Sequence, residues 1–413
     1  MSTVLPFRAV RPDPKVVREV ASYPYDVIDS QEARVIAKDN PISFLHVVKS
    51  EIDLPEDVTL HDPAVYTKAR ENLSVFLEKN VLFQDRTPCF YVYRQVMGAH
   101  TQYGLVACVS VDEYDEGIIK KHELTRADKE ADRTRHIAEL NAQTGPVFLT
   151  YRARSSMDRI IEAIVGGTPE YDFVADDGVS HTAWVVSDHA TVAAIIREFL
   201  QIDSLYIADG HHRAASAAAV ARMRRNANPH HEGDESYNYT LAVIFPHDQL
   251  KVIDYNRAVR DLNGLSSEEF LQKVHENFFI FDQFQDKKPE YLHEFGMYLE
   301  GAWYKLVARD SICREADVIA SLDVSILQHN LLSPTLGIHD PRTDERITFV
   351  GGIRGMEGLE RLVDSGQYRV AFALYPTTLT QLMRVADAGR LMPPKSTWFE
   401  PKLRSGMFVH MLD

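Results

Sequence analysis

Three residues whose side chains can carry positive charge, His211, His212 and Arg213, follow directly after Asp209 and Gly210. The apolar residues before them predict a strand, and the alanine-rich residues after them predict a helix. Gly210 permits a backbone conformation that other residues avoid. The start of a helix presents free N–H groups and the positive end of its dipole, which repels cations. Three such side chains at this place therefore indicate a bound anion, most simply a phosphate group.

A structural explanation of the same five residues stays open at this point. Asp209 would cap the helix, which typically stabilises a helix by roughly 1 kcal/mol, and Gly210 would form the turn. The three basic side chains would then be solvated. In either case the alanines at 214, 215, 217, 218, 219 and 221 predict a helix that packs closely and holds the turn rigidly.

The most charged part of the chain is the segment 122–136, with the sequence HELTRADKEADRTRH. Thr125 predicts the start of a helix, with Asp128 as a capping-box-like partner. Ion pairs between residues four apart would support an exposed helix: Arg126–Glu130 and Asp132–His136.

The same segment also has a functional interpretation. A helix would place Arg126, Lys129 and Arg133 on one face, as a basic stripe that suits a polyphosphate. His122 and Glu123 precede the helix, where they would supply a proton acceptor or a ligand for Mg²⁺.

A third candidate lies near the C-terminus, where Lys395, Ser396 and Thr397 follow two prolines that restrict the backbone. One cation and two hydroxyls suit a phosphate clamp, although the glycines of a P-loop are absent. The structural alternative is a strand edge with exposed hydroxyl groups.

The motif Ala208–Arg213 (ADGHHR) resembles the signature of the ParB/sulfiredoxin-like superfamily, and most closely that of the free-serine kinases. The PPKST stretch resembles a Pro-Pro-Lys-Thr-Thr stretch of those kinases. The whole chain is similar to the family catalogued as domain of unknown function 1015. Four motifs carry that similarity: PYDVI (24–28), HELTRADKEADRTRH (122–136), ADGHHR (208–213) and MPPKSTWFEPK (392–402).

The resemblance implies a ParB/sulfiredoxin-like core and, from the kinases, an N-terminal acidic residue that acts as base. Asp26 is the residue in that region, and a capping aspartate in a turn is the alternative for it. Sulfiredoxins carry a reactive cysteine where this chain has His211, so thiol chemistry is disfavoured. ParB has a Glu-Arg-Arg version of the turn and adds a helix-turn-helix. This chain has histidines in those places of the turn.

The elements that would position these residues indicate a mixed α/β (α+β) fold with additional α/β elaborations. The pattern predicts three regions: 1–140 with a hairpin and the charged helix, 141–260 with the DGHHR turn, and 261–413 with the PPKST segment. Two hairpins are expected, at 89–114 and at 239–253, together with a helix at 290–299 and a strand–helix–strand unit at 347–375.

Bulk properties exclude several classes. A net charge of -15 argues against nucleic acid as the main partner. No run approaches the roughly 18 to 20 apolar residues of a membrane helix, and the N-terminal residues lack the blocks of a signal peptide. Three widely spaced cysteines indicate neither a disulfide framework nor a zinc site. We therefore expect a cytoplasmic protein that does not enter a membrane.

These observations and the resemblance predict a nucleotide-dependent phosphotransferase that acts on a small hydroxyl compound, with a free amino acid such as serine as the best guess. ATP or ADP would donate the phosphoryl group, and Mg²⁺ would be held by Asp209 or Glu123. Asp26 or Glu123 would accept the hydroxyl proton, and His212 would take part in catalysis. Two alternatives stay open: a nucleotide-binding switch or scaffold without turnover, and a phosphatase or nucleotidase that uses the same phosphate cradle.

Overall fold

The computed structural model describes residues 1–314 and 316–412 and divides the chain into two compact units. The first unit contains Met1–Leu250 and the C-terminal residues from Pro401 onward, and the second contains Lys251–Glu400. This division differs from the three predicted regions, because strands from the first two of them pair in one sheet. The mixed α/β class is confirmed.

The first unit holds most of the strands. They are β1 (Val4–Leu5), β2 (Val10–Pro12), β3 (Leu82–Gln84), β4 (Phe90–Met97), β5 (His100–Ser110), β6 (Ile119–Lys120), β7 (Ala142–Gln143), β8 (Val147–Tyr151), β9 (Tyr171–Val174), β10 (Ser180–Val186), β11 (Leu205–Asp209), β12 (Tyr239–Pro246) and, near the C-terminus, β21 (His410–Met411). Its helices are α1 (Val17–Val20), α2 (Ser30–Ala37), α3 (Leu45–Val48), α4 (Pro63–Glu78), α5 (Val111–Asp115), α6 (Ala127–Leu140), α7 (Ser155–Val165), α8 (His189–Phe199) and α9 (His211–Ala227).

The main sheet of this unit has the order β6-β11-β8-β12-β5-β4-β10-β9, with β1 also paired to β5. The predicted hairpin at 89–114 is confirmed by the antiparallel register from Tyr91↔Val106 to Met97↔His100. The predicted hairpin at 239–253 is wrong. Both edges of β12 are already occupied, by β5 and by β8, so no edge is left for the residues that follow it.

Alternate residues of these strands face opposite sides of the sheet. Phe90 and Val92 of β4 belong to a large apolar core that also contains residues of α7, α8 and α9. On the other face, the ring of Tyr91 packs 4.9 Å from the ring of Phe408, a residue of the C-terminal segment. A separate apolar core joins the helices α1–α4, with Phe44 and Leu45 fully buried in it.

The second unit contains β13 (Lys251–Ile253), β14 (Tyr255–Val259), β15 (Phe278–Phe281), β16 (Glu294–Leu299), β17 (Ala302–Ala308), β18 (Ile347–Gly351), β19 (Val370–Leu374) and β20 (Trp398–Glu400). Its helices are α10 (Ser267–Asn277), α11 (Asp323–Leu327), followed by a π-helical turn at Gln328–Leu332, α12 (Gly355–Asp364) and α13 (Leu379–Asp387). The strands form a sheet of order β15-β17-β16-β19-β14-β18 and a separate pair, β13-β20.

Two predictions for this unit have different outcomes. The predicted helix at 290–299 is wrong, because the residues from Glu294 onward form the inner strand β16, buried along its whole length. Glycine is needed at position 296 of this strand, because a Cβ there would lie 2.4 Å from the carbonyl oxygen of Lys287. The strand–helix–strand unit exists as β18, α12 and β19, but β14 lies between its two strands and is antiparallel to both.

Candidate functional site

The parallel pairing of β6 with β11 brings two of the predicted motifs together. Leu205 pairs with Ile119 and Tyr206 pairs with Lys120, so both strands end at the same edge of the sheet. The residues that follow β6 begin the charged segment, and those that follow β11 form the DGHHR turn. As a result, backbone N–H groups of the segment 122–126 donate hydrogen bonds to the side chains of His211 and His212.

Gly210 forms the turn with a φ of 89° and a ψ of 33° and stands at the N-cap of α9. A side chain here would meet the guanidinium of Arg213, with 2.9 Å between the added Cβ and Nε. The guanidinium therefore packs directly on the glycine. Glycine is needed at this position both for the backbone conformation and for the room that Arg213 takes.

Asp209 does not cap the helix. Its Oδ1 accepts a hydrogen bond from the backbone N–H of Gly210 at 2.8 Å, and its Oδ2 accepts one from Nζ of Lys402 at 3.0 Å. Burial opposes ionisation of this carboxyl, but the charges of Lys402 and Arg213 outweigh burial and hold its pKa well below the usual range. The structural explanation by an aspartate cap is therefore excluded.

The start of α9 lacks a cap, since Gly210 has no side chain to provide one. Among the residues that the structure describes, the backbone N–H groups of His211, His212 and Arg213 donate no hydrogen bond. The helix has 17 residues, so the dipole contributes fully at this end. These N–H groups are open to an acceptor from outside the helix, such as water or an anion.

Arg213 is buried, with 9% of its side chain exposed. It donates to the carbonyl oxygen of Pro146, and its Nη2 lies 3.6 Å from Oδ2 of Asp26 and 4.0 Å from Oδ1 of Asp209. Within 1–314 and 316–412, its buried Nε has no hydrogen-bond partner. Burial acts to lower the pKa of Arg213, but the nearby carboxylates of Asp26 and Asp209 outweigh this effect. The pKa is raised overall, so the guanidinium is charged.

The two histidines of the turn are neutral. Nε2 of His211 accepts from the backbone N–H of His122 at 3.4 Å, and Nε2 of His212 accepts from that of Arg126 at 3.0 Å. A protonated imidazole has no acceptor atom, so both rings must be uncharged in these contacts. Burial also lowers the pKa of both rings, that of His211 most strongly. Arg213 is thus the single cation of the predicted three that carries its charge.

His122 packs edge to face on His211, with 4.4 Å between the ring centres. It is 2% exposed, and neither ring nitrogen forms a hydrogen bond with the described residues. Burial lowers its pKa to about 4, against the opposing effects of Asp209 and the backbone of Ile207. His122 is therefore a neutral ring beside the turn.

Two further carboxylates lie at the site. Asp26, predicted from its region alone, reaches Arg213, and Oε2 of Glu123 lies 3.7 Å from Nδ1 of His211. Their side chains are 38% and 43% exposed, so solvent and ligands can reach both. With Asp209 they place three carboxylates near the cations Arg213 and Lys402.

The charged segment differs from its predicted form. Helix α6 begins at Ala127, after Arg126, and no side chain caps it. Thr125 donates instead to Glu130, at 3.1 Å. Arg126 pairs with Asp128 rather than with Glu130. The cause is local: Arg126 has extended backbone angles, and its N–H bonds to the turn.

The predicted basic stripe is not one surface. Arg126 and Lys129 are exposed, whereas Arg133 has 13% of its side chain exposed, pairs with Asp132 at 2.7 Å and packs over the ring of Tyr25. Asp132 thus pairs with Arg133, and His136 bonds to the carbonyl of Val47, so the predicted Asp132–His136 pair is absent.

A small cavity of about 30 Å³ lies on the inner side of the turn. Arg213 and Arg133 both line it, together with Tyr25, Thr144 and Ser405. The space is large enough for about one or two water molecules and too small for a nucleotide.

Lys395, Ser396 and Thr397 belong to the second unit. Oγ of Ser396 donates to the carbonyl of Pro393 at 2.6 Å, and its own carbonyl accepts from Thr377 at 2.8 Å. These bonds hold the loop, and contact of the three residues with a phosphate remains a prediction.

Lys402 is the site residue that the sequence did not single out. It ends the MPPKSTWFEPK motif, and its ion pair with Asp209 joins residues far apart in the chain. No local pattern reveals such a pair, although a lysine at the end of a specific motif is a signal.

The predicted Mg²⁺ ligands, Asp209 and Glu123, can be compared with the carboxylates that the structure brings together. In the described parts of the chain, no three His, Cys, Asp or Glu side chains converge as a metal cage. Mg²⁺ usually takes one or two carboxylates and completes its shell with water and substrate phosphates. Both oxygens of Asp209 already accept hydrogen bonds, from Gly210 and Lys402, and binding of Mg²⁺ by Asp209 and Glu123 remains a prediction.

Across 1–314 and 316–412, no helix has the length and apolar character to cross a membrane.

Comparison with solved structures gave several distant likenesses. A free serine kinase mutant in complex with AMP has a TM-score of 0.37 and 13% identity, over 73% of this chain and 91% of that one. A conserved hypothetical protein from Pyrococcus furiosus has a TM-score of 0.35 and 13% identity, over 74% and 95%. C-terminally truncated SbnI from Staphylococcus aureus has a TM-score of 0.37 and 11% identity, over 74% and 87%.

Comparison with curated proteins gave no match. The family model described as "Protein of unknown function (DUF1015)" matches residues 4–325, which is more than half of the sequence. The chain therefore belongs to the DUF1015 family.

Proposed function

We propose that this protein is a nucleotide-dependent phosphotransferase that acts on a small hydroxyl compound. The observation that carries the proposal is the uncapped start of α9 beside the buried Arg213, whose Nε lacks a partner among the described residues. Free N–H groups and a fixed guanidinium together suit a phosphate group. The proposal rests on this turn and its contacts, and not on the distant likenesses.

Phosphoryl transfer depends on positioned charge more than on covalent chemistry. Arg213 is well positioned, because Pro146 holds one end of its guanidinium and Gly210 packs against its face. Its Nε–H and the N–H groups of α9 would bind phosphate oxygens. His212 would donate from Nδ1, since its Nε2 accepts from Arg126.

A divalent cation would assist the binding of a nucleotide at this turn. Carboxylates of Asp26, Glu123 and Asp209 lie around it, and like charges repel the phosphates of a nucleotide. Asp209 and Glu123 would hold Mg²⁺, which reduces the charge of the nucleotide phosphates. ATP or ADP would then be the phosphoryl donor.

The hydroxyl proton of the acceptor would go to Asp26 or Glu123, which are both partly exposed. Asp26 is the stronger candidate, because Arg213 holds its carboxylate 3.6 Å from the guanidinium that would bind the phosphate. The resemblance of the turn to free-serine kinases suggests a free amino acid such as serine as acceptor.

Product analysis by ³¹P NMR tests the proposal. The protein is incubated with Mg²⁺, ATP or ADP, and a panel of hydroxyl amino acids and small alcohols. A new phosphomonoester supports the kinase. Free phosphate alone would support a phosphatase or nucleotidase, and nucleotide binding without any product would support a switch or scaffold, so either result would overturn the proposal. Asp26→Asn should abolish the phosphomonoester while nucleotide binding stays within about threefold.

A further inference from the structure

Arg257 is a buried arginine in the middle of the second unit. It lies on β14, between β18 and β19, and is 4% exposed. Among the described residues it has no carboxylate partner. A buried charge without a counter-ion is rare, because desolvation is costly unless the charge is paired.

Its hydrogen bonds go only to neutral acceptors. One guanidinium nitrogen donates to the carbonyl of Tyr255, and Nη2 donates to the carbonyl of Lys395 at 3.0 Å. A guanidinium has five N–H donors, so three remain after these two bonds. Burial lowers the pKa of Arg257 to about 10, with only Tyr255 acting in the opposite direction.

A second cation without a counter-ion lies beside it. Lys395 is exposed, makes no ion pair with the described residues, and places Nζ 5.6 Å from the ring centre of Tyr255. The guanidinium of Arg257 lies 5.2 Å from the ring of Phe349. The two rings are themselves in edge-to-face contact, with 6.1 Å between their centres, so the two cations lie over neighbouring half-buried aromatic residues. No carboxylate among the described residues neutralises the positive charge of the pair.

We propose that Arg257 and Lys395 bind a phosphate group within the second unit. An arginine fork with free N–H groups can make parallel hydrogen bonds to phosphate oxygens, and the lysine adds charge and mobility at the exposed side. The bound anion would supply the counter-charge that Arg257 lacks. This site does not depend on Arg213 or on phosphoryl transfer.

Isothermal titration of the full chain with inorganic phosphate tests this site. We expect saturable binding to the wild-type protein and at least tenfold weaker binding to Arg257→Met. Arg260→Met is the matched control, since Arg260 lies just after the same strand, is exposed and packs over the ring of Tyr368. It should bind phosphate as the wild type does.

Arg257→Lys keeps the charge but loses the fork, and it decides the question if Arg257→Met does not fold. It should bind phosphate at least fivefold more weakly than the wild type. Absence of phosphate binding by the wild-type protein, or equal binding by Arg257→Lys and the wild type, would overturn the proposal. Arg213→Lys should leave this binding event unchanged, which separates it from the proposed function.

Discussion

Replacement of Gly210 by alanine tests the structure of the turn most sharply. The substitution imposes two costs. A non-glycine residue in a left-handed conformation costs roughly 1 to 2 kcal/mol, and φ is 89° here. The new Cβ would also lie 2.9 Å from Nε and 3.0 Å from Cζ of Arg213, so the guanidinium must move.

The second cost is the loss of the contacts of Arg213. Displacement breaks its hydrogen bond to Pro146, and a hydrogen bond from a charged group contributes roughly 1.5 to 3 kcal/mol. We expect Gly210→Ala to lower the free energy of unfolding by about 2.5 to 5 kcal/mol in total, in urea denaturation followed by circular dichroism.

Gly178 provides a matched control. Its φ is 79°, and a Cβ there would meet nothing within 4 Å, so Gly178→Ala carries the conformational cost alone. The difference between the two variants isolates the contact with Arg213, and in an Arg213→Ala background that difference should disappear. If Gly210→Ala is no more destabilising than Gly178→Ala, the guanidinium does not pack on the turn and the reasoning fails.

Three further predictions concern charges of the first unit. Arg126→Glu should change the free energy of unfolding by less than about 1 kcal/mol, because the ion pair of Arg126 is exposed. Arg133→Glu should lower stability clearly more, as measured by thermal unfolding. Equal effects of the two substitutions would contradict the buried position of Arg133. Lys402→Met should raise the pKa of Asp209, so stability should be lost at higher pH during acid unfolding than in the wild type; an unchanged acid profile would refute the ion pair. Burial lowers the pKa of His122 in the folded protein to about 4, from an ordinary value near 6.5. The unfolded chain therefore binds a proton at a higher pH than the folded protein does, and protonation favours unfolding. The melting temperature of the wild type should therefore fall between pH 6.5 and 4, less steeply in His122→Asn, and an identical slope would show that His122 does not contribute.

The local part of the site could be predicted from the sequence. The turn consists of a strand, a glycine and an alanine-rich helix in direct succession. Each of these features can be recognised from residues that are neighbours in the sequence. The charge state of the turn could not be predicted in the same way. His211 and His212 are neutral because they accept hydrogen bonds from backbone groups of the charged segment, and that contact requires the pairing of β6 with β11.

The errors in the fold have the same origin. The residues 239–246 and 250–253 look like a hairpin, but β12 is an inner strand, and its fully apolar sequence from Leu241 to Phe245 reflects burial on both faces. The residues 290–299 show apolar spacing compatible with a helix, yet β16 is also buried on both faces, and its glycine fits the strand. Periodicity does not separate a short buried strand from a helix.

Titration of the full chain with ADP in the presence of Mg²⁺, for the wild type and two arginine variants, tests whether the start of α9 binds a nucleotide phosphate. Arg213→Lys loses the fork at the turn, and Arg222→Lys changes an exposed arginine of the same helix that pairs with Asp115. We expect saturable binding to the wild type, unchanged binding to Arg222→Lys, and at least tenfold weaker binding to Arg213→Lys, equivalent to about 1.4 kcal/mol. No binding to the wild type, or equal binding to Arg213→Lys and the wild type, would contradict a nucleotide phosphate site at the start of α9.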